Sequence, residues 1–225
     1  MKNNAYIERG VLFGDVHSFR DLNLVLAPFT YTPAQPKFKY VEIPGGNGSI
    51  DATESTGEIT YSDREFEFVF SVFPTDNLTF EERQTLVANA INGKRFNIIV
   101  EKDPDYYWTG RVWVDEYASN KRLKRIYVLA RVAPYKLKRT ETVVMATLTG
   151  EAKTIILPNE CMRVCPSITL GASSTATIVY NGKTIQLTES GKTKKELDLQ
   201  LTKGDNILTV TGQGEIAFTY REGAL

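Results

Sequence analysis

VEIPGGNGSIDATESTGEITYSDREFEFVF, residues Val41 to Phe70, decides the fold class of this chain. It enters as a β-prone run, with Phe38 and Tyr40 just upstream and Val41 and Ile43 inside it. Pro44 to Gly48 then supplies one proline, three glycines and an asparagine, which suits a tight turn needing positive φ. From Glu58 to Val72 the pattern becomes that of a strong strand. Ile59, Tyr61, Phe66, Phe68 and Phe70 fall on alternate positions with charges between them. The reading is two strands of a β-sandwich joined by the Pro44–Gly48 turn.

Upstream, Val11 to Phe19 and Leu22 to Ala27 read as short strands, or as a strand and a turn. Pro28, Pro33 and Pro36 then punctuate an extended segment in which helix is disfavoured. Downstream, Thr79-Phe80-Glu81-Glu82 is a capping box with Thr79 as N-cap and Glu82 at N3. Leu86, Val87, Ala90 and Ile91 follow as an apolar stripe, and Gly93 closes the helix. Phe96 to Val100 is a further strand. Tyr106 to Tyr117 and Leu123 to Val132 form a long hairpin about Ala118-Ser119-Asn120-Lys121.

After Ala133-Pro134-Tyr135 the composition changes to short bursts of Thr, Ile, Val, Leu and Lys separated by Gly, Asn and Ser. Asn181-Gly182 between two β-prone runs is a strong hairpin signal. Residues 206–210 and 215–220 read as two strands about Gly212-Gln213-Gly214. The expectation is a mainly β protein of two domains. Residues 1–139 form a β-sandwich with one α-helix and a long hairpin, and residues 140–225 form a second β-sandwich without a helix.

The totals exclude several functions. The chain has 225 residues with 27 Lys+Arg against 27 Asp+Glu, so no net positive charge points to nucleic acid. No apolar run approaches the ~20 residues that span a bilayer. The N-terminus lacks the apolar core of a secretory signal, so synthesis in a cytoplasm is expected. The two cysteines, Cys161 and Cys165, make no disulfide framework, and one histidine, His17, leaves too few ligands for zinc. No GxSxG or phosphate loop is present. Acids such as Asp51, Glu54, Asp63, Asp115 and Glu116 show no spacing that singles out a catalytic pair. No catalytic, cofactor or metal residue is assigned, and the protein is not read as an enzyme.

Two features remain open to a binding role. Tyr106, Tyr107, Trp108, Trp113 and Tyr117 cluster within the long hairpin; rings of this kind stack on sugars, anchor subunit interfaces or fill a core. Core or interface is preferred. Arg122, Lys124 and Arg125 beside the hairpin tip suit a polyanion, or a solvated edge that resists unwanted strand pairing, which is favoured.

Four segments resemble the distal tail protein family (Dit) of siphophages. Gly14-Asp15-Val16-His17-Ser18-Phe19 with Leu22 to Leu26 is similar to the family's opening, although Asn23 stands where the family usually has glycine. Val41 to Asp51 is similar to a "V-x-V-P-G-x-x-G-x-x-D" pattern. Tyr61 to Phe66 is similar to "Y-x-x-R-x-x" before an aromatic strand, and Ala133-Pro134-Tyr135-Lys136 to the close of the first domain. Pro44, Gly45, Gly48, Asp51 and Arg64 carry this signature, with Asp51 and Arg64 expected in local polar contacts.

The resemblance implies a structural role in a virion. Such proteins form a hexameric ring at the distal end of a long non-contractile tail. The ring joins the major tail (tube) protein to the tail-associated lysin, tail fibre or baseplate and to the host-adsorption apparatus. The first domain closes the ring, and the second domain, galectin-like or jelly-roll, projects outwards. On this reading the protein is made in the host cytoplasm, ends at the virion tail tip, and neither inserts into membrane nor binds nucleic acid. Tyr106, Trp108, Trp113, Tyr117, Arg122, Lys124 and Arg125 become a candidate subunit-interface arm. The alternative is a carbohydrate-binding module for host recognition.

Overall fold

The computed structural model describes residues 10–29, 31–72, 77–120, 123–189 and 191–225. The chain is mainly β with one helix among the described residues. It divides into two compact units, the first ending at Lys136 and the second running from Leu137 to Leu225.

The first unit contains β1 (Val11–Phe13), β2 (Val16–His17), β3 (Leu24–Leu26), β4 (Tyr40–Glu42), β5 (Ser49–Asp51), β6 (Arg64–Val72), α1 (Phe80–Ile91), β7 (Arg95–Val100), β8 (Tyr106–Ser119) and β9 (Lys124–Val132). Seven of its strands form one sheet in the order β2-β1-β7-β8-β9-β6-β3. The sheet curls strongly. Three strands separate β1 from β6, yet the rings of Phe13 and Phe68 meet edge to face at 5.7 Å. Alternation explains the core: Phe66, Phe68 and Phe70 of β6 point inwards and meet Val11, Phe13, Trp108, Val112, Ile126, Val128 and Ala130.

Helix α1 begins as its sequence dictates. The Thr79 hydroxyl accepts from the Glu82 amide at 3.2 Å, and the Glu82 carboxylate accepts from the Thr79 amide at 2.8 Å. Asn92 is the C-cap, and Gly93 follows at φ +73° and donates its amide to the Val112 carbonyl at 2.8 Å. The buried face is Phe80, Arg83, Val87 and Ile91, so the expected stripe is rotated and Leu86 lies in solvent. Arg83 is buried because its guanidinium donates to the Leu22 carbonyl at 3.1 Å.

Two expectations need correction. The strand expected from Glu58 begins only at Arg64, and Tyr61 makes just an isolated bridge to Pro36. The Pro44–Gly48 turn does not join two strands of the sandwich. It joins β4 to β5, which pair only with each other and are exposed along their whole length.

The second unit begins within β10 (Lys136–Lys138) and continues with β11 (Thr142–Thr149), β12 (Lys153–Asn159), β13 (Ser167–Leu170), β14 (Thr175–Tyr180), β15 (Lys183–Leu187), β16 (Thr193–Lys195), β17 (Gly204–Tyr220) and β18 (Gly223–Ala224). β17 is one strand of 17 residues rather than the two expected. Its first part lies between β12 and β14, and its second part between β11 and β13. Leu208 and Val210 from the first part share a core with Ile216 and Phe218 from the second. Gly214 at φ +92° redirects the strand between its two parts. The β14–β15 hairpin turns on Asn181 and Gly182 at φ +49° and +75°, a pair suited to a type I′ turn.

Candidate assembly surfaces

The Val41–Asp51 segment is an exposed β-ribbon. Gly45 and Gly48 take φ +73° and +80° in open space, so they answer a conformational demand rather than a steric one. Pro44 is exposed at the ribbon's start. Asp51 accepts from the Thr53 amide at 2.9 Å. Hydrogen bonds from the Thr53 hydroxyl and amide hold the Asp51 carboxyl below its ordinary value. Val41 pairs with Ile50 across the ribbon. On the neighbouring positions the rings of Phe38 and Tyr40 stack at 6.3 Å.

Arg64 sits apart from that ribbon, buried at the start of β6. Its Nε donates to the Thr32 carbonyl at 3.0 Å and Nη1 to that of Pro134 at 3.4 Å. The guanidinium carbon lies 4.8 Å from the Tyr31 ring centre, with Phe66 and Trp108 also within 6 Å. The five signature residues therefore occupy two places: four on the ribbon and one in the core.

The long hairpin is largely core. β8 lies between β7 and β9 within the sheet, and Trp108 is fully buried beneath Phe66 and Tyr31. Tyr106 is half-buried under the Lys136 ammonium at 4.3 Å, and Lys136 pairs with Asp103 at 2.6 Å. Trp113 is half-buried opposite Leu129. Of the candidate arm residues, Trp108 is closed to a partner and Tyr106 and Trp113 are partly covered. Its distal end reaches solvent at Tyr117, Lys124 and Arg125, and the outer face of its base does so at Arg111 and Arg131; Arg122 falls outside the described residues. The Tyr117 hydroxyl donates to the Gln84 carbonyl of α1 at 3.3 Å, and the Lys124 ammonium lies 5.3 Å from the Phe80 ring centre.

Other candidates have local roles. His17 is buried, with its Nε2 2.8 Å from Glu101. Asp63 pairs with Arg131 at 2.9 Å on the surface. Cys161 and Cys165 are half-buried free thiols, and Cys165 donates to the Glu196 carbonyl at 3.0 Å. In the second unit the three aromatic rings, Tyr180, Phe218 and Tyr220, are all buried, so none offers a stacking platform to a sugar.

No protein-family model and no curated protein matches the sequence. The fold, by contrast, is found among solved structures. One matching solved structure is that of SPP1 Dit, described as a paradigm of the hub adsorption apparatus in phages infecting Gram-positive hosts. It aligns with a TM-score of 0.67 over 96% of this chain and 99% of its own, at 12% identity. At that identity the likeness is one of fold.

Proposed function

We propose that the protein is a structural subunit of a phage tail. It forms a ring, of six copies, at the distal end of a long non-contractile tail, and links the tail tube to the lysin, fibre or baseplate proteins beyond it. The end-to-end likeness to SPP1 Dit carries this reading, because it spans both units rather than one common sandwich. The sequence segments that resemble the distal tail family point the same way. The first unit is the ring-forming one. The exposed ribbon and the exposed Tyr117, Lys124 and Arg125 of the β8–β9 hairpin are available for subunit contact, whereas the buried Trp108 is not.

Light scattering on the full-length chain after size-exclusion chromatography tests the ring. The expected particle has six times the 25.3 kDa of the chain. A monomer that retained host cell-wall polysaccharide would instead favour a carbohydrate-binding module. The burial of every aromatic ring in the second unit weighs against that outcome.

A further inference from the structure

Asparagine stands directly before glycine at Asn47-Gly48, Asn92-Gly93 and Asn181-Gly182. Glycine has no β-carbon to shield its own amide nitrogen, so that nitrogen can close on the side-chain carbonyl of the asparagine before it. Closure needs a free side-chain amide, a free glycine N–H and a backbone that can rotate between them. The fold treats the three sites differently on each count.

At Asn92-Gly93 all three requirements fail. The Gly93 amide donates to the Val112 carbonyl at 2.8 Å, and Asn92 Oδ1 accepts from the Val114 amide at 3.0 Å. Asn92 is also the helix C-cap, its own amide tied to the Ala88 carbonyl at 3.0 Å. At Asn181-Gly182 it is rotation that fails. The two residues form the tight turn of β14–β15, and the pairs from Tyr180↔Lys183 to Ala176↔Leu187 depend on its shape.

Asn47-Gly48 meets every requirement. Both residues are exposed, and neither the Asn47 side chain nor the Gly48 amide has a hydrogen-bond partner among the described residues. The bond that closes the ribbon's turn, from the Gly46 amide to the Ile43 carbonyl at 3.0 Å, lies upstream of them. Gly48 has open space around its α-carbon, so no neighbour resists rotation of the peptide.

We infer that Asn47 is the site at which the folded chain deamidates. The Gly48 nitrogen gives its proton to solvent base and attacks Asn47 Cγ. The new N–C bond forms as the Cγ–Nδ2 bond breaks, and ammonia leaves with a proton from solvent. The product is a five-membered cyclic imide. Water adds to either imide carbonyl and opens it, giving aspartate or isoaspartate, the latter with one extra carbon in the backbone path. Either product places a carboxylate at the tip of a ribbon that already carries Glu42 and Asp51, and turns a formally neutral chain into an anion. The step alters an exposed surface and leaves both cores untouched.

The test incubates the folded full-length chain at pH 6 and at pH 8 and follows it by anion exchange and tryptic mapping. A later-eluting species should accumulate faster at pH 8. Its tryptic fragment Tyr40–Arg64 should show the mass gain of amide-to-acid conversion and split into aspartate and isoaspartate forms. The fragments holding Asn92 and Asn181 should stay unchanged until the chain is unfolded in urea, where all three sites react. Asn47→Gln should remove the late species without altering the melting temperature. Conversion at Asn92 or Asn181 ahead of Asn47 in the folded chain overturns the assignment. So does an Asn47 that reacts only after unfolding.

Discussion

His17 and Glu101 lock the opening turn of the chain to the end of β7. The His17 Nδ1 accepts amides from Phe19 and Arg20 at 3.1 and 3.0 Å, so Nε2 carries the proton and donates it to Glu101 at 2.8 Å. The other Glu101 oxygen accepts from the Gly10 amide at 2.9 Å. His17→Ala strands two amides and a carboxylate oxygen, and should cost about 1–3 kcal/mol. Urea unfolding would show this as a lower midpoint with an unchanged slope; an unaltered midpoint would mean that water replaces the imidazole.

Asn23 takes φ +52°, the left-handed region. A residue with a β-carbon is disfavoured there, and asparagine less so than most. Asn23→Ala should therefore destabilise by about 1 kcal/mol, while Asn23→Gly should be neutral or slightly stabilising. Thermal melts of the two variants are expected to lie on opposite sides of the parent, or to separate by several degrees.

The α1 capping box gives the first unit an acid-sensitive element. Hydrogen bonds from the Thr79 amide and hydroxyl hold the Glu82 carboxyl below its ordinary 4.5. A group whose folded value is depressed contributes stability above its unfolded value and loses it as pH falls through the folded one. Thr79→Ala should cost about 1 kcal/mol at neutral pH and progressively less on acidification. Equal losses at pH 7 and pH 3 would contradict the cap's ionic component.

Tyr220 offers the converse case. Its hydroxyl donates to the Pro158 carbonyl, and burial, followed by the nearby Glu222, pushes its ionisation up to about 12. The stability this brings is complete below the unfolded value near 10 and is lost as pH rises through the folded one. In an ultraviolet titration Tyr220 should ionise after the exposed tyrosines have titrated. Tyr220→Phe should remove that late step.

Gly212 packs where no side chain fits. A β-carbon there would come 2.0 Å from the Thr175 carbonyl oxygen, a backbone atom that β14 holds in place. Gly212→Ala should destabilise the second unit by about 3 kcal/mol, the upper end for overpacking. Gly182→Ala meets open space and should show only the smaller penalty of its positive φ. Similar effects from both would mean that β17 shifts to accommodate the methyl group.

Local chemistry was legible in the sequence where it acts over a few residues. The capping box at Thr79, the Asn181-Gly182 turn and the inward phase of Phe66, Phe68 and Phe70 all appear where the residues placed them. What depended on partners distant in sequence was not legible. Phe38 to Ile43 has the composition of a buried strand, yet among the described residues no other strand joins its ribbon. Trp108 stands in phase with Val112, which marks it as inward. That signal was obscured by the run of aromatics around it and by the register shift after Val114. Arg83 reads as a surface residue until the Leu22 carbonyl is found above it.

The undivided course of β17 has a mechanical meaning. Four strands are hydrogen-bonded to it, two on each part, and it reaches from Gly204 to Tyr220. A pull along this axis would load the ladders on both sides in shear, with many bonds resisting at once. A pull across it would peel them one after another. The second unit is therefore stiff in one direction and tearable in another, and the direction of an applied tension decides which of the two is met.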